Sequence, residues 1–295
     1  MIIGDNKLEV IKNIEKAVKN GELNKKVEVN DPKLTQDEKN KIINNYLQNR
    51  NKKSFKIKTK LAKTAISIAT KILHKDTEIL GIENIKDING SAIITSNHFN
   101  PLDTLIMQKF AKEICEKRLY IVSQETNLVM DGIVGFFMNY SNTIPISNQI
   151  SYMKKDFPRM IKNILKENNL ILIYPEQEMW FNYKKPRTLK DGAYYLAAKN
   201  NVPIISCFVE MIETNEKDNE QFNKVKYKLH ILKPIYPNPN ITAKENSTIM
   251  KEIDYKQKKQ AYEKIYNKKL DYRFEAEDIA GLKKYKNSSK NKEFA

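Results

Sequence analysis

The stretch AIITSNHFNPLDTLIM, residues 92–107, decides the fold. Ala92, Ile93, Ile94 and Thr95 read as a buried strand that stops at Ser96 and Asn97. Asn100 is a strong N-cap, Pro101 suits a first helical position, and Asp103 then falls in the first turn. A helix is therefore predicted to begin near Pro101. Strand, short polar turn and helix in that order make half of a β-α-β unit. Working outward, short apolar runs recur at 119–122 (LYIV), 170–174 (LILIY), 204–209 (IISCFV) and 227–232 (YKLHIL), with helical patterns between them. That rhythm predicts an α/β fold with a mostly parallel central sheet flanked by helices.

The flanks read differently. Leu8, Ile11, Ile14 and Val18 recur at helical spacing, and Gly21 is placed to end that helix. A turn is expected at Asn30-Asp31-Pro32. Thr35 and Glu38 form a capping box ahead of a second helix that carries Ile42, Ile43, Tyr46 and Leu47. Residues 55–74, FKIKTKLAKTAISIATKILH, place Ile57, Leu61, Ala65, Ile68 and Ile72 on one stripe edged by Lys56, Lys60, Lys63 and Lys71. A basic amphipathic helix of this kind suits either an anionic lipid surface or its own domain. The expected organisation is a helical region over 1–75, the α/β domain over 76–240, and a Lys-rich helical extension over 241–295 that ends in a fraying tail.

Lys and Arg number 52 against 36 Asp and Glu, giving a formal charge of +16. That balance draws phosphate-bearing partners without choosing among nucleic acid, anionic lipid and a phosphorylated substrate. No interleaving of lysines with aromatics on a sheet or groove motif supports the nucleic-acid alternative. Cys115 and Cys207 make neither a metal clip nor a disulfide framework, and fit a reducing cytoplasm. The opening MIIGDNKLEV has no apolar run of signal-peptide length. Nor does any stretch approach the roughly 18 apolar residues of a membrane span. The expectation is a cytoplasmic protein held peripherally on the inner face of the cell membrane.

Chemistry concentrates just past the first strand. His98 lies outside the predicted helix and within reach of Asp103, and ligands and catalytic groups gather at the carboxyl ends of such strands. A carboxylate that orients an imidazole makes it a general base, contributing about 10²–10⁴-fold. The eight glycines form no phosphate-binding loop, there is no GxSxG elbow, and no HExxH is present. Neither metal nor cofactor is expected. His74 and His230 read as structural, and GIVGFFMNY, residues 132–140, reads as core, with the lining of an apolar-chain channel as the alternative.

NHFNPLD resembles the His-x4-Asp signature of the glycerolipid acyltransferases of the lysophosphatidic acid acyltransferase type, including Asn97, Asn100 and Pro101 around the pair. LILIYPEQEMWFNYKKPRTLKDGAYYLAAKNNVPIISCFV, residues 170–209, resembles the family's strand and Pro-Glu block, with Pro175 and Glu176 in those positions. LHILKPIYP resembles its closing strand. The resemblance implies that His98 and Asp103 move a fatty acyl group from acyl-CoA or acyl carrier protein to the hydroxyl of a lysophospholipid, 1-acyl-glycerol-3-phosphate in the family's main branch. It also makes Glu176 part of the acceptor site.

Two blocks depart from the family pattern. Gln177, Glu178 and Met179 stand where Gly-Thr-Arg is usual, so the customary phosphate-binding arginine is missing. NTIPISNQ, residues 142–149, lacks the Gly and Arg of the family's intermediate block. The nearest replacement cations are Lys184, Lys185, Arg187 and Lys190, with Arg187 the leading candidate because a guanidinium grips two phosphate oxygens. The departures also leave room for a different, non-phosphorylated lipid acceptor.

Overall fold

The run at 92–95 does form the central strand of a sheet. The computed structural model describes residues 6–29 and 32–283, in the order α1 (Lys7–Lys19), α2 (Gln36–Asn49), α3 (Lys53–Leu73), β1 (Glu78–Leu80), β2 (Ala92–Thr95), α4 (Thr104–Glu113), β3 (Leu119–Gln124), α5 (Gly132–Tyr140), β4 (Thr143–Ile146), α6 (Ile150–Lys166), β5 (Leu170–Ile173), α7 (Gly192–Asn200), β6 (Ile204–Lys217), β7 (Asn223–Ile231) and α8 (Ala243–Tyr266). The predicted turn at Asn30-Asp31 and the tail beyond 283 lie outside the described residues. One sheet runs β1-β7-β6-β2-β5-β3-β4. Only β6 and β7 pair antiparallel; every other pairing is parallel.

Both faces of this sheet are covered, which is why β2 is a continuous apolar run rather than an alternating one. Ile94 joins Ile106, Phe110 and Leu172 in a core beneath α4. Its neighbour Ile93 points the other way, joining Ile161, Ile171, Tyr194 and Met250. A third core unites α1 with the chain's middle and end, packing Ile14, Val18 and Val27 against Trp180, Phe181, Tyr183 and Ile279. The capping box at Thr35 and Glu38 is present as expected, and Gly21 follows α1 with φ of 71°.

A buried ionic cluster fastens α8 to the carboxyl end of β2. The Asp254 carboxylate accepts hydrogen bonds from Thr95 at 2.7 Å and from the hydroxyls of Tyr194 and Ser206, and pairs with Lys258. Lys258 also donates to Thr95 at 2.9 Å. Every member is buried and partnered, the condition under which such a group rigidifies its surroundings.

Two expectations fail. The stretch 132–140 is helical, but only Gly135 within it is buried and Ile133 is 76% exposed, so α5 is not core. Gly135 is needed there because an added Cβ would collide with the Met130 carbonyl. The helix after β2 begins at Thr104 rather than near Pro101. Asn100 instead accepts from the Leu102 N–H in a local turn, at 3.0 Å.

Candidate active site

Three anchors fix the turn that follows β2. The Asn97 side chain bridges both backbone groups of Val209, accepting its N–H at 2.8 Å and donating to its carbonyl at 3.1 Å. Trp180 N–H donates to the His98 carbonyl at 3.1 Å, and Asn182 N–H to the Phe99 carbonyl at 2.8 Å. Asp103 occupies the N-cap position of α4 without capping it. Its carboxylate turns back over the loop instead, and Oδ2 accepts the N–H groups of Phe99 at 3.0 Å and Asn100 at 3.3 Å.

That backward turn brings Asp103 Oδ2 to 2.8 Å from His98 Nδ1. Tyr174 closes the set: its hydroxyl donates to Asp103 Oδ1 at 2.7 Å, and its ring stacks on the imidazole with centroids 4.0 Å apart and planes 12° apart. A carboxylate that accepts four hydrogen bonds acts as acceptor toward Nδ1, so in the neutral ring the lone pair lies on Nε2. The His98 side chain is 21% exposed and that of Asp103 only 1%. Burial, with Asp103 alongside, raises the Tyr174 phenol well above its ordinary range and keeps it a donor.

The loop after β5 wraps this pair. Glu176 accepts the N–H of His98 at 3.3 Å and that of Arg187 at 2.9 Å, and its carboxylate pairs with the Arg187 guanidinium at 2.9 Å. Arg187 also donates to the carbonyls of Leu23, His98 and Glu178, and lies 4.5 Å over the Trp180 ring. Burial pulls the guanidinium pKa down, and Glu176 opposes that pull. The segment after α1 adds to the enclosure: Asn24 donates to the carbonyls of Glu176 and Thr188, and Trp180 to that of Lys25 at 2.9 Å.

Most of the residues expected to grip phosphate are engaged within the protein. Glu176 and Arg187 are buried and hold one another, because an unpaired charge at that depth would cost several kcal/mol. Lys185 is likewise buried, engaged by Asp278 at 2.9 Å and the Arg273 carbonyl at 2.7 Å. Lys184 pairs with Glu213 at 2.9 Å. Lys190 keeps an exposed side chain, and its N–H donates to the Pro175 carbonyl at 2.9 Å. Of the other histidines, His74 is buried against Thr77 at 3.1 Å, its pKa lowered to about 4 mainly by burial. His230 pairs with Glu210.

Residues 76–210 match the family model described as Acyltransferase. This part of the chain is similar to that family. It contains the His98–Asp103 pair, Tyr174, Glu176 and Arg187. Among solved structures the chain is similar to the 1-acyl-sn-glycerophosphate (LPA) acyltransferase PlsC from Thermotoga maritima, at 15% identity and a TM-score of 0.47, over 90% of this chain and 96% of that one. No curated protein sequence matches it.

Sequence reasoning missed two parts of the candidate site. Tyr174 reads as the aromatic end of a strand, although its place directly before Pro175 and Glu176 puts it beside the motif. Asp254 and Lys258 lie in the C-terminal extension, outside the matched residues, yet reach Thr95 at the end of β2.

Proposed function

We propose that the acyltransferase moves a fatty acyl group from a thioester, acyl-CoA or acyl carrier protein, to the free hydroxyl of a lysophospholipid at an anionic membrane surface. The observation that carries this reading is the His98–Asp103 pair, with Nδ1 engaged and Nε2 left to the reacting group. His98 Nε2 takes the acceptor hydroxyl's proton as its oxygen attacks the thioester carbonyl. The tetrahedral intermediate expels the thiolate by breaking the C–S bond, and the imidazolium returns the proton to the leaving sulfur. Asp103 stabilises the imidazolium between these steps. Transfer is direct, and no acyl-enzyme is needed.

The surface of α3 supports the membrane half of the reading. Ile57, Leu61, Ile68 and Ile72 are each more than half exposed on the stripe that the sequence predicted, while α3 packs its other side on α4 and α5. Full burial of one such side chain in the acyl boundary contributes about 1.5–3 kcal/mol, and the flanking lysines suit anionic headgroups. No helix among the described residues is long and apolar enough to cross a membrane.

1-Acyl-glycerol-3-phosphate is the acceptor the family motif favours, with Lys190 the exposed candidate for its phosphate. A second reading, a lipid acceptor without phosphate, is favoured by the burial of Arg187 and Lys185. One experiment decides between them. Purified protein is assayed with both thioester donors against lysophosphatidic acid, its dephosphorylated counterpart and other lysolipids, on phosphatidylglycerol vesicles at low and high salt. Preference for the phosphorylated acceptor, with activity and vesicle binding falling as salt rises, is expected. Indifference to the phosphate promotes the second reading, and no transfer to any lysolipid rejects both.

A further inference from the structure

Tyr174 follows the last residue of β5 and precedes Pro175, and its one side chain touches both members of the pair. The ring covers the face of the His98 imidazole, and the hydroxyl donates to Asp103. The two oxygens of Asp103 are divided: Oδ2 takes Nδ1 of His98 and two backbone N–H groups, whereas Tyr174 is the donor on Oδ1 among the described residues. A tyrosine needed only to fill the core could place its ring there without this bond.

We propose that Tyr174 is a positioning residue of the acyl transfer, fixing the imidazole plane with its ring and setting with its hydroxyl how much negative charge Asp103 offers to Nδ1. This rests on reading His98 as the general base. The ring acts on orientation because an imidazole stacked on one face and bonded at Nδ1 has little freedom to swing Nε2 away from the acceptor. The hydroxyl acts on basicity. A hydrogen bond to Oδ1 withdraws charge from the carboxylate, so its removal strengthens the hold on the Nδ1 proton, stabilises the imidazolium and raises the pKa of His98.

Other charged and titratable groups also face the pair, and Tyr174→Phe replaces none of them. Glu176 and Arg187 engage the backbone of His98, Tyr227 and His74 sense Asp103, and Cys207 lies near Tyr174. A pKa change caused by Tyr174→Phe is thus attributable to the hydroxyl.

The chain has three histidines, so ring resonances labelled in the full-length protein can be assigned by comparison with His98→Gln. In the wild type, the His98 ring protons are expected upfield of ordinary histidine values because they lie on the Tyr174 ring. Ordinary shifts would overturn the stacking. Tyr174→Phe is expected to raise the His98 pKa relative to wild type and to move the acid limb of kcat/KM upward with it. Tyr174→Leu should lose about tenfold or more in kcat, with the KM for both substrates little changed, and Phe should restore most of that loss. A His98 pKa unmoved in Tyr174→Phe, or a wild-type kcat in Tyr174→Leu, refutes the positioning role. If the pKa moves as expected while wild-type protein acylates no lysolipid, the positioning stands and the proposed acceptor class falls.

Discussion

The chain holds two histidine–carboxylate pairs of almost equal length and histidine exposure. His98 Nδ1 is 2.8 Å from Asp103, and His230 Nε2 is 2.7 Å from Glu210; the imidazoles are 21% and 22% exposed. Their surroundings differ. Asp103 is 1% exposed and fixed by two backbone N–H groups and a phenol, whereas Glu210 is 21% exposed and, among the described residues, accepts a side-chain hydrogen bond from His230 alone. Glu210 and His230 lie diagonally across β6 and β7, where such a pair is worth about 0–1 kcal/mol. His230 also uses the outer nitrogen of its ring, the one that His98 leaves for a reacting group. Contact distance therefore does not distinguish a base from a cross-strand pair. The fixing of the carboxylate and the choice of ring nitrogen do.

Breaking the fixed pair should have the largest consequence. Asp103→Asn keeps the size but replaces an acceptor-only group, and the amide can donate toward Nδ1, favouring the wrong tautomer. A fall of about 10²–10⁴-fold in kcat is expected, with unchanged far-ultraviolet circular dichroism. Near-normal turnover in a folded Asp103→Asn protein would separate the carboxylate from the chemistry.

His74 sharpens the comparison from a third side, as a buried histidine bonded to a hydroxyl rather than a carboxylate. Its pKa is lowered from 6.5 to about 4, with burial the largest cause. Between those values the unfolded chain binds the proton and the native one does not, so this residue's contribution to stability falls as pH drops from about 6.5 toward 4. Urea unfolding at both ends of that window should show a smaller acid-side loss for His74→Gln than for wild type, a small but separable effect. Identical losses would remove His74 from the acid response.

Much of this architecture is readable in the sequence, because buried parallel strands announce themselves as apolar runs. The runs at 92–95, 119–122, 170–174, 204–209 and 227–232 all correspond to strands. β1 has three residues, of which two are exposed, and carries no such signal. β4 contains Pro145 and lies at the sheet edge, where proline is tolerated, so it was reachable through family resemblance but not through pattern. His98 and Asp103 were legible because a turn of fixed length brings them together. Arg187 and Lys185 were not, since residue identity does not reveal whether a loop cation faces a ligand or a buried carboxylate eleven or more residues away. Lys258 was hidden for the same reason: an Asp and a Lys four residues apart on a Lys-rich helix look like an ordinary solvated pair.

Parallel truncation of the two histidines tests the distinction most directly. His98→Ala and His230→Ala proteins, each shown to be folded, are compared with wild type in the same transfer assay with lysolipid and thioester donor. His98→Ala should abolish measurable acyl transfer while His230→Ala retains it within a few-fold. Substantial transfer by His98→Ala, or equal loss in both, would contradict the assignment of His98 as the base.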